Sequence, residues 1–168
     1  MEAVFTYILM IAIYLFWFFP KWNDDRSFLL KTIFYIYICM IIEVTLLPIN
    51  FSAGIHLPQK GLLEYGNFEP FVDLLKNRPL AKTEIFLNIL MMVPFGILYP
   101  IAFNKRFIKT ITAALLLSLV IESAQLFMAA FMVGLRTFDV TDMITNTLGG
   151  ILGVMLITVV LHFHNLKG

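Results

Sequence analysis

The chain has 168 residues, of which 60% are hydrophobic, 15% aromatic and only 14% charged. A soluble domain carries about 25% charged and about 45–50% apolar residues, so this much apolar surface requires a bilayer as solvent. The net charge of +1 and the scatter of Lys and Arg over several loops exclude a nucleic-acid partner, and one cysteine, Cys39, excludes an internal disulfide or a cysteine-rich metal site.

The first apolar run, Ala3 to Phe19, is uncharged. An acidic, nearly absent n-region (Met1-Glu2) and the lack of a small-x-small site before Phe18-Phe19-Pro20 read as a membrane helix, not a cleaved signal. The second run, Phe28 to Leu47, holds Lys31 at its start and Glu43 near its end, and Cys39 within it reads as a small hydrophobe. After it comes a long loop, Pro48 to Lys82. Its later part reads as a short helix with Pro70 in the first position, Pro79 as its end, and Phe71, Leu74 and Leu75 on one face. Such a helix either lies along the membrane surface or packs as a cap on the bundle.

The third run, Ile85 to Phe103, is again uncharged; the fourth, Phe107 to Val133, holds Lys109 and Glu122; the fifth, Val140 to Phe163, holds Asp142 and His162. The expected architecture is therefore all-α: a polytopic bundle of about five transmembrane helices in one domain over residues 1–168, with one longer extracytoplasmic loop.

Orientation follows from Lys and Arg in the loops. Lys21, Arg26, Lys31, Lys105, Arg106, Lys109 and Lys167 fall on one side, against Lys60, Lys76, Arg78, Lys82 and Arg136 on the other. The short loop from Asn104 to Lys109 is basic and free of acids. This places the N-terminus outside and the C-terminus in the cytoplasm of a multi-pass cell-membrane protein.

Ionisable groups within spans cost about 2.5–3.5 kcal/mol on insertion scales and mark bundle interiors or water-filled clefts. With the orientation above, Glu43, Asn88, Gln125, Asp139, Asp142 and Asn146 all fall toward the outer face, and Glu122 lies roughly 15 Å below the outer end of its helix. Ser118, Glu122 and Gln125 share one face at i, i+4, i+7; Asp142, Asn146, Gly149 and Gly153 share another at i, i+4, i+7, i+11. Gly149, Gly150 and Gly153 would let a neighbouring helix approach closely. The pattern describes a polar cleft open to the outside above tightly packed helices.

Each group also has a plain structural role open to it. Asp139 and Asp142, three residues apart at a helix start, have the spacing of an N-cap and its partner. Gln125 and Asn146 suit interhelical hydrogen bonds, and Glu43 suits contact with headgroup water. Glu122 is the hardest to reduce to structure, being deep and flanked by apolar residues. His56, His162 and His164 have no metal-ligand spacing, and no cofactor motif is evident.

Four ordered motifs resemble those of the VanZ-like membrane protein family. Arg136, Asp139, Asp142, Asn146, Gly149 and Gly153 match its R-x-x-D-x-x-D-x-x-x-N-x-x-G-x-x-x-G pattern. Glu122 and Gln125 match E-x-x-Q; Asn88 with Pro94-Phe95-Gly96 matches N-x-x-x-x-x-P-F-G; Asn67 with Pro70-Phe71 matches N-x-x-P-F. The resemblance runs from Asn67 to Gly153, with little signature earlier beyond Leu46-Leu47-Pro48. It implies a link to low-level resistance to the glycopeptide teicoplanin in Gram-positive bacteria, or to envelope physiology without a drug phenotype.

Three functions are compatible with these residues. One is a non-enzymatic protein that binds or modulates an envelope lipid, a cell-wall precursor or a glycopeptide through Asn67, Asn88, Glu122, Gln125, Arg136, Asp139, Asp142 and Asn146. Another is a small intramembrane enzyme on a lipid-linked substrate, with Glu122 as general acid or base and Asp139 and Asp142 holding a divalent cation. An ion-coupled carrier is the third, disfavoured by five helices without an internal repeat.

Overall fold

A computed structural model describes residues 2–23, 25–47, 57–131 and 137–165. Pro48, His56, Arg136 and Lys167 lie outside the described residues.

Five helices are long and apolar enough to cross a membrane, which satisfies every backbone polar group within its own segment. The first is continuous from α1 (Glu2–Ile13) through a π-helical turn (Tyr14–Phe18) into α2 (Phe19–Trp22). Pro20 explains the turn. It has no N–H for the carbonyl of Phe16 and its ring crowds the preceding turn, so the helix widens and the Phe19 N–H bonds Tyr14 O, five residues back. The second span is α3 (Phe28–Leu46), entered through Asp25, whose carboxylate accepts the Ser27 N–H at 2.7 Å and pairs with Lys31. The Lys31 ammonium and the Ser27 donors hold the Asp25 carboxyl well below the usual carboxylate range.

The remaining spans are α5 (Ala81–Phe103), α6 (Phe107–Phe131) and α7 (Val140–Asn165). α5 starts four residues before the expected Ile85, because Ala81, Lys82, Thr83 and Glu84 form helix without adding to the apolar signal. Pro94 and Pro100 lie inside it. The chain leaves it through Asn104 in the left-handed region, with the Lys105 N–H returning to Pro100 O at 3.1 Å.

Ahead of α5, a 3-10 turn (Leu62–Tyr65) leads into a two-residue strand β1 (Gly66–Asn67) and the single-turn helix α4 (Val72–Leu75). The expected longer helix from Pro70 does not form. Phe71 takes a left-handed backbone, φ 58°, which breaks the helix behind α4, and Asn77 and Leu80 repeat the device ahead of α5. α4 packs on the bundle: Phe71 N–H donates to Thr141 Oγ1 at 2.9 Å, and Leu74 lines a small pocket with residues of α5 and α7, while Leu75 stays exposed. β1 pairs in parallel with β2 (Phe138–Asp139), Gly66 opposite Phe138 and Asn67 opposite Asp139, and Phe68 stacks on Phe138 at 4.8 Å. This short bridge is the sole sheet among the described residues of an otherwise all-α bundle.

The core lies where α3, α5 and α6 meet, around Ile41, Met92, Phe95, Ala114 and Ile121, with Phe34, Tyr37 and Tyr99 against it. α5 and α7 make the closest crossing. A Cβ on Gly96 would stand 2.1 Å from Gly150 O, and one on Gly153 2.1 Å from Val93 O. Gly149 meets Ile89 O at 2.2 Å in the same way, and Gly150 faces the Ala114 methyl of α6. Gly149, Gly150 and Gly153 lie at these close approaches, and their counterpart on α5 is Gly96. The first span sits outside this core, with no buried residue between Phe5 and Trp22. It leans on α3 through polar and aromatic ties: Tyr35 Oη to Met10 O at 2.7 Å, Tyr14 with Thr32, and Tyr7 with Glu43. Glu43 is exposed, and Tyr7 is its hydrogen-bond partner.

Candidate functional site

The end of α3, the starts of α5 and α7 and the end of α6 come together at one end of the bundle, and most of the chain's polar intramembrane residues are there. α7 begins with an N-cap. Asp139 Oδ1 accepts the Thr141 N–H at 2.7 Å, and its other oxygen takes the Asn67 amide at 3.0 Å. The loop between α3 and α5 and the cap of α7, 72 positions apart, are joined by that bond. The Asp139 N–H in turn donates to Glu122 Oε2 at 2.9 Å.

Glu122 is buried at 1% exposure on the inner face of α6. One turn away on the same face, Ser118 Oγ accepts from Asn146 Nδ2 at 3.3 Å and lies 3.5 Å from Met143 O. Asn146 is also enclosed, and its Oδ1 has no partner among the described residues. Glu122, Ser118 and Asn146 therefore form an internal seam between α6 and α7. Gln125, one turn above Glu122, points the other way: its Nε2 donates to Thr45 O at 3.0 Å, joining α6 to α3.

Beside this seam lies a groove of about 780 Å³ between α3, α5 and the cap of α7. Gln125, Asn88, Asp139 and Asp142 line its polar end, with Asp73, Arg78 and Glu84 contributed by the loop and the first turn of α5. Asn88 and Asp142 line this polar end side by side. Arg78 Nε meets Asp73 Oδ2 at 2.7 Å, and its terminal nitrogen reaches Glu84. Of the four carboxyl groups on the groove lining, Asp73 and Glu84 pair with this guanidinium. The other wall is apolar, from Met40, Ile41, Val44, Leu87, Leu90 and Met91.

Of the residues singled out by sequence, Asn88, Gln125, Asp139 and Asp142 line the groove, and Asn67 braces it from behind Asp139. Glu122 and Asn146 belong to the seam and not to the groove lining. Arg136 falls outside the described residues. Asp73, Arg78, Glu84, Thr45 and Thr141 were not legible as site residues. The available signal for Arg78 was its position between two acids, Asp73 and Glu84, in a loop otherwise read as surface. Among the described residues, no group of three or more His, Cys, Asp and Glu is placed to hold a metal ion, and both Asp139 oxygens already face N–H donors.

Fold and site together define a multi-pass membrane helical bundle with an amphipathic groove at one end. The sequence profile of the VanZ/LLP1 family matches residues 34–161, and the chain belongs to that family. Protein VanZ of Enterococcus faecium is 33% identical over 92 residues, 54% of this chain and 45% of that protein, so the matched stretch spans less than half of the relative. No solved structure matches the chain. The match begins within α3 and leaves the first span outside it.

Proposed function

We propose that this protein binds an amphipathic molecule of the cell envelope, a lipid-linked cell-wall precursor, a lipid or a glycopeptide, in the groove between α3 and α5. In doing so it contributes to teicoplanin-type resistance or to envelope homeostasis. The observation that carries this reading is the composition of the groove. Hydrogen-bonding and charged groups crowd one end, and Met40, Val44, Leu87 and Leu90 continue from them as an apolar wall. A ligand with a polar head and a hydrocarbon body matches both parts, with the head near the membrane surface and the tail in the bilayer region. The basic, acid-free loop between α5 and α6 supports placing the polar end on the outer face.

Glu122 as a general acid or base fits less well. Its carboxyl is enclosed, and one oxygen is engaged by the Asp139 N–H; a substrate in the groove would have to displace that backbone to reach it. A divalent cation between Asp139 and Asp142 would similarly have to compete with Asn67 and Thr141.

The test is teicoplanin susceptibility and whole-envelope lipid composition, measured with the wild type, without the protein, and with Val44→Trp or Leu87→Trp to fill the apolar wall. Both residues are exposed, so insertion and protein level should be normal. The expected result is that both Trp variants resemble the deletion. Wild-type behaviour of both would remove the groove from the function.

A further inference from the structure

We propose that the exposed end of the first span holds a phospholipid with an anionic head group, its chain along the π-helical turn and its phosphate at Lys21. This site lies apart from the groove between α3 and α5 and does not depend on the function proposed for that groove. The seat for the chain is an open groove of about 520 Å³ lined by Ala12, Ile13, Phe16, Trp17 and Phe18. All five belong to the first span, and Phe16 and Trp17 are well exposed along it. An apolar groove at membrane depth takes a lipid chain, and the groups at its end decide which head group stays.

Lys21 stands at that end. Its Nζ lies 4.1 Å from the centre of the Trp17 ring, a cation–π contact that holds the ammonium beside the groove. Lys21 is exposed and makes no ion pair with a described carboxylate. Asp25, four residues on, is already taken by Lys31 and the Ser27 N–H. An ammonium has three N–H donors, and one face on an indole leaves the others open to a phosphate oxygen. Trp17 fits the same depth, since indole rings favour the head-group level of a bilayer.

The charge around Lys21 selects the same occupant. Residues 21–31 and 104–109 carry six Lys and Arg against two acids, Asp24 and Asp25. The two stretches stand side by side: Trp22 packs on Phe103 at 6.1 Å, and Lys31 Nζ lies 5.8 Å from the same Phe103 ring. Lys105, Arg106 and Lys109 are exposed, and none makes an ion pair with a described carboxylate. A zwitterionic head would bring its own cation into this field, whereas an anionic head brings only the charge the field attracts.

The chain has two tryptophans, Trp17 and Trp22, so either can be made the sole indole fluorophore. The full-length protein with Trp22→Phe is to be reconstituted in phosphatidylcholine vesicles in which an equal fraction of the lipid is brominated on its chains, as phosphatidylglycerol in one series and phosphatidylcholine in the other. Bromine quenches at contact, so loss of Trp17 fluorescence reports the lipid in the groove. Brominated phosphatidylglycerol is expected to be favoured about fivefold, the worth of one basic residue near an anionic head group. Lys21→Gln should abolish that preference and leave quenching by brominated phosphatidylcholine unchanged, which shows that the span is intact; Lys21→Arg should retain the preference. Trp17→Phe moves the signal to Trp22, which packs on Phe18 and Phe103 and does not line the groove. There the preference should nearly vanish. An equal preference at both tryptophans would mean diffuse attraction to a basic face and would overturn the site. So would equal quenching of Trp17 by the two lipids, or an undiminished preference in Lys21→Gln.

Discussion

The Glu122 carboxyl accepts the backbone N–H of Asp139 at 2.9 Å, and through this bond the buried acid of α6 fixes the first turn of α7. The N–H so satisfied belongs to the residue whose own side chain caps α7 and holds Asn67 of the loop between α3 and α5. Glu122 thus stands at the base of a chain of three hydrogen bonds that sets the far side of the groove.

The first prediction separates the acceptor from the acid. Glu122→Gln keeps a carbonyl oxygen in place for the Asp139 N–H. Glu122→Leu leaves that part-buried donor without a partner, at about 1–3 kcal/mol. In thermal unfolding of the purified protein, the Gln variant should stay close to wild type and the Leu variant should fall clearly below it. Equal destabilisation of both would mean that the carboxyl itself, and not its acceptor geometry, is required.

Asp139 and Asp142 stand three residues apart, yet the structure gives them different work. Asp139→Asn preserves the cap, since Asn caps about as well as Asp, whereas Asp139→Ala should cost about 0.5–2 kcal/mol. Asp142 faces the groove and makes no cap bond with the start of α7. Asp142→Asn is therefore expected to leave the unfolding temperature near wild type and to diminish the cellular phenotype. Were Asp142→Asn destabilised as much as Asp139→Ala, its place in a ligand-facing groove would be untenable.

The number and type of the spans were legible because long uncharged runs allow only one structure in a bilayer. Helix phase also grouped Gly149 with Gly153 and Ser118 with Glu122 correctly. What phase cannot tell is which residues of different helices meet. Glu122 and Gln125 share a face on α6, yet Glu122 turns into the α6–α7 seam while Gln125 reaches Thr45 on α3 beside the groove. The Asn67–Asp139 bond and the position of Arg78 depend on the fold of the loop between α3 and α5, where left-handed backbones at Phe71 and Leu80 leave no periodic trace. The start of α5 was missed for a related reason: Lys82 and Glu84 carry helix propensity without hydrophobicity.

The α5–α7 crossing should be intolerant of a single methyl. At Gly96 and Gly153 the new Cβ would meet backbone carbonyls of the facing helix at 2.1 Å, so the helices themselves would have to separate. Overpacking of this kind costs typically about 1–3 kcal/mol, and rigid backbone on both sides puts these sites at the upper end. Gly61→Ala is the contrast, since its Cβ would meet only the movable end of Glu64 at 2.9 Å. Unfolding curves should show large losses for Gly96→Ala and Gly153→Ala and little change for Gly61→Ala. Near-wild-type stability of the first two would contradict the close crossing.

The last prediction concerns orientation, on which access to the groove depends. Gly61 and Asn104 are both exposed; Gly61 lies in the loop that precedes α5 and Asn104 caps its C-terminal end. Gly61 has an ordinary backbone, φ −58°, and accepts a side chain there. Asn104 is left-handed, so cysteine carries a local strain of about 1–2 kcal/mol at a surface turn, which a five-helix bundle tolerates. In a Cys39→Ala background, Gly61→Cys should react with a membrane-impermeant thiol reagent on intact cells. Asn104→Cys should react only after permeabilisation. The reasoning is that Lys105, Arg106 and Lys109 form a short loop with no acid, the strongest positive-inside signal in the chain. That result would place Asn67, Asp139 and the polar end of the groove on the outer face, open to envelope precursors and glycopeptides without transport. Labelling of Asn104→Cys on intact cells, with Gly61→Cys protected, would turn the groove toward the cytoplasm. Its ligand would then have to be sought among cytoplasmic amphiphiles, and a direct encounter with an extracellular drug would be excluded.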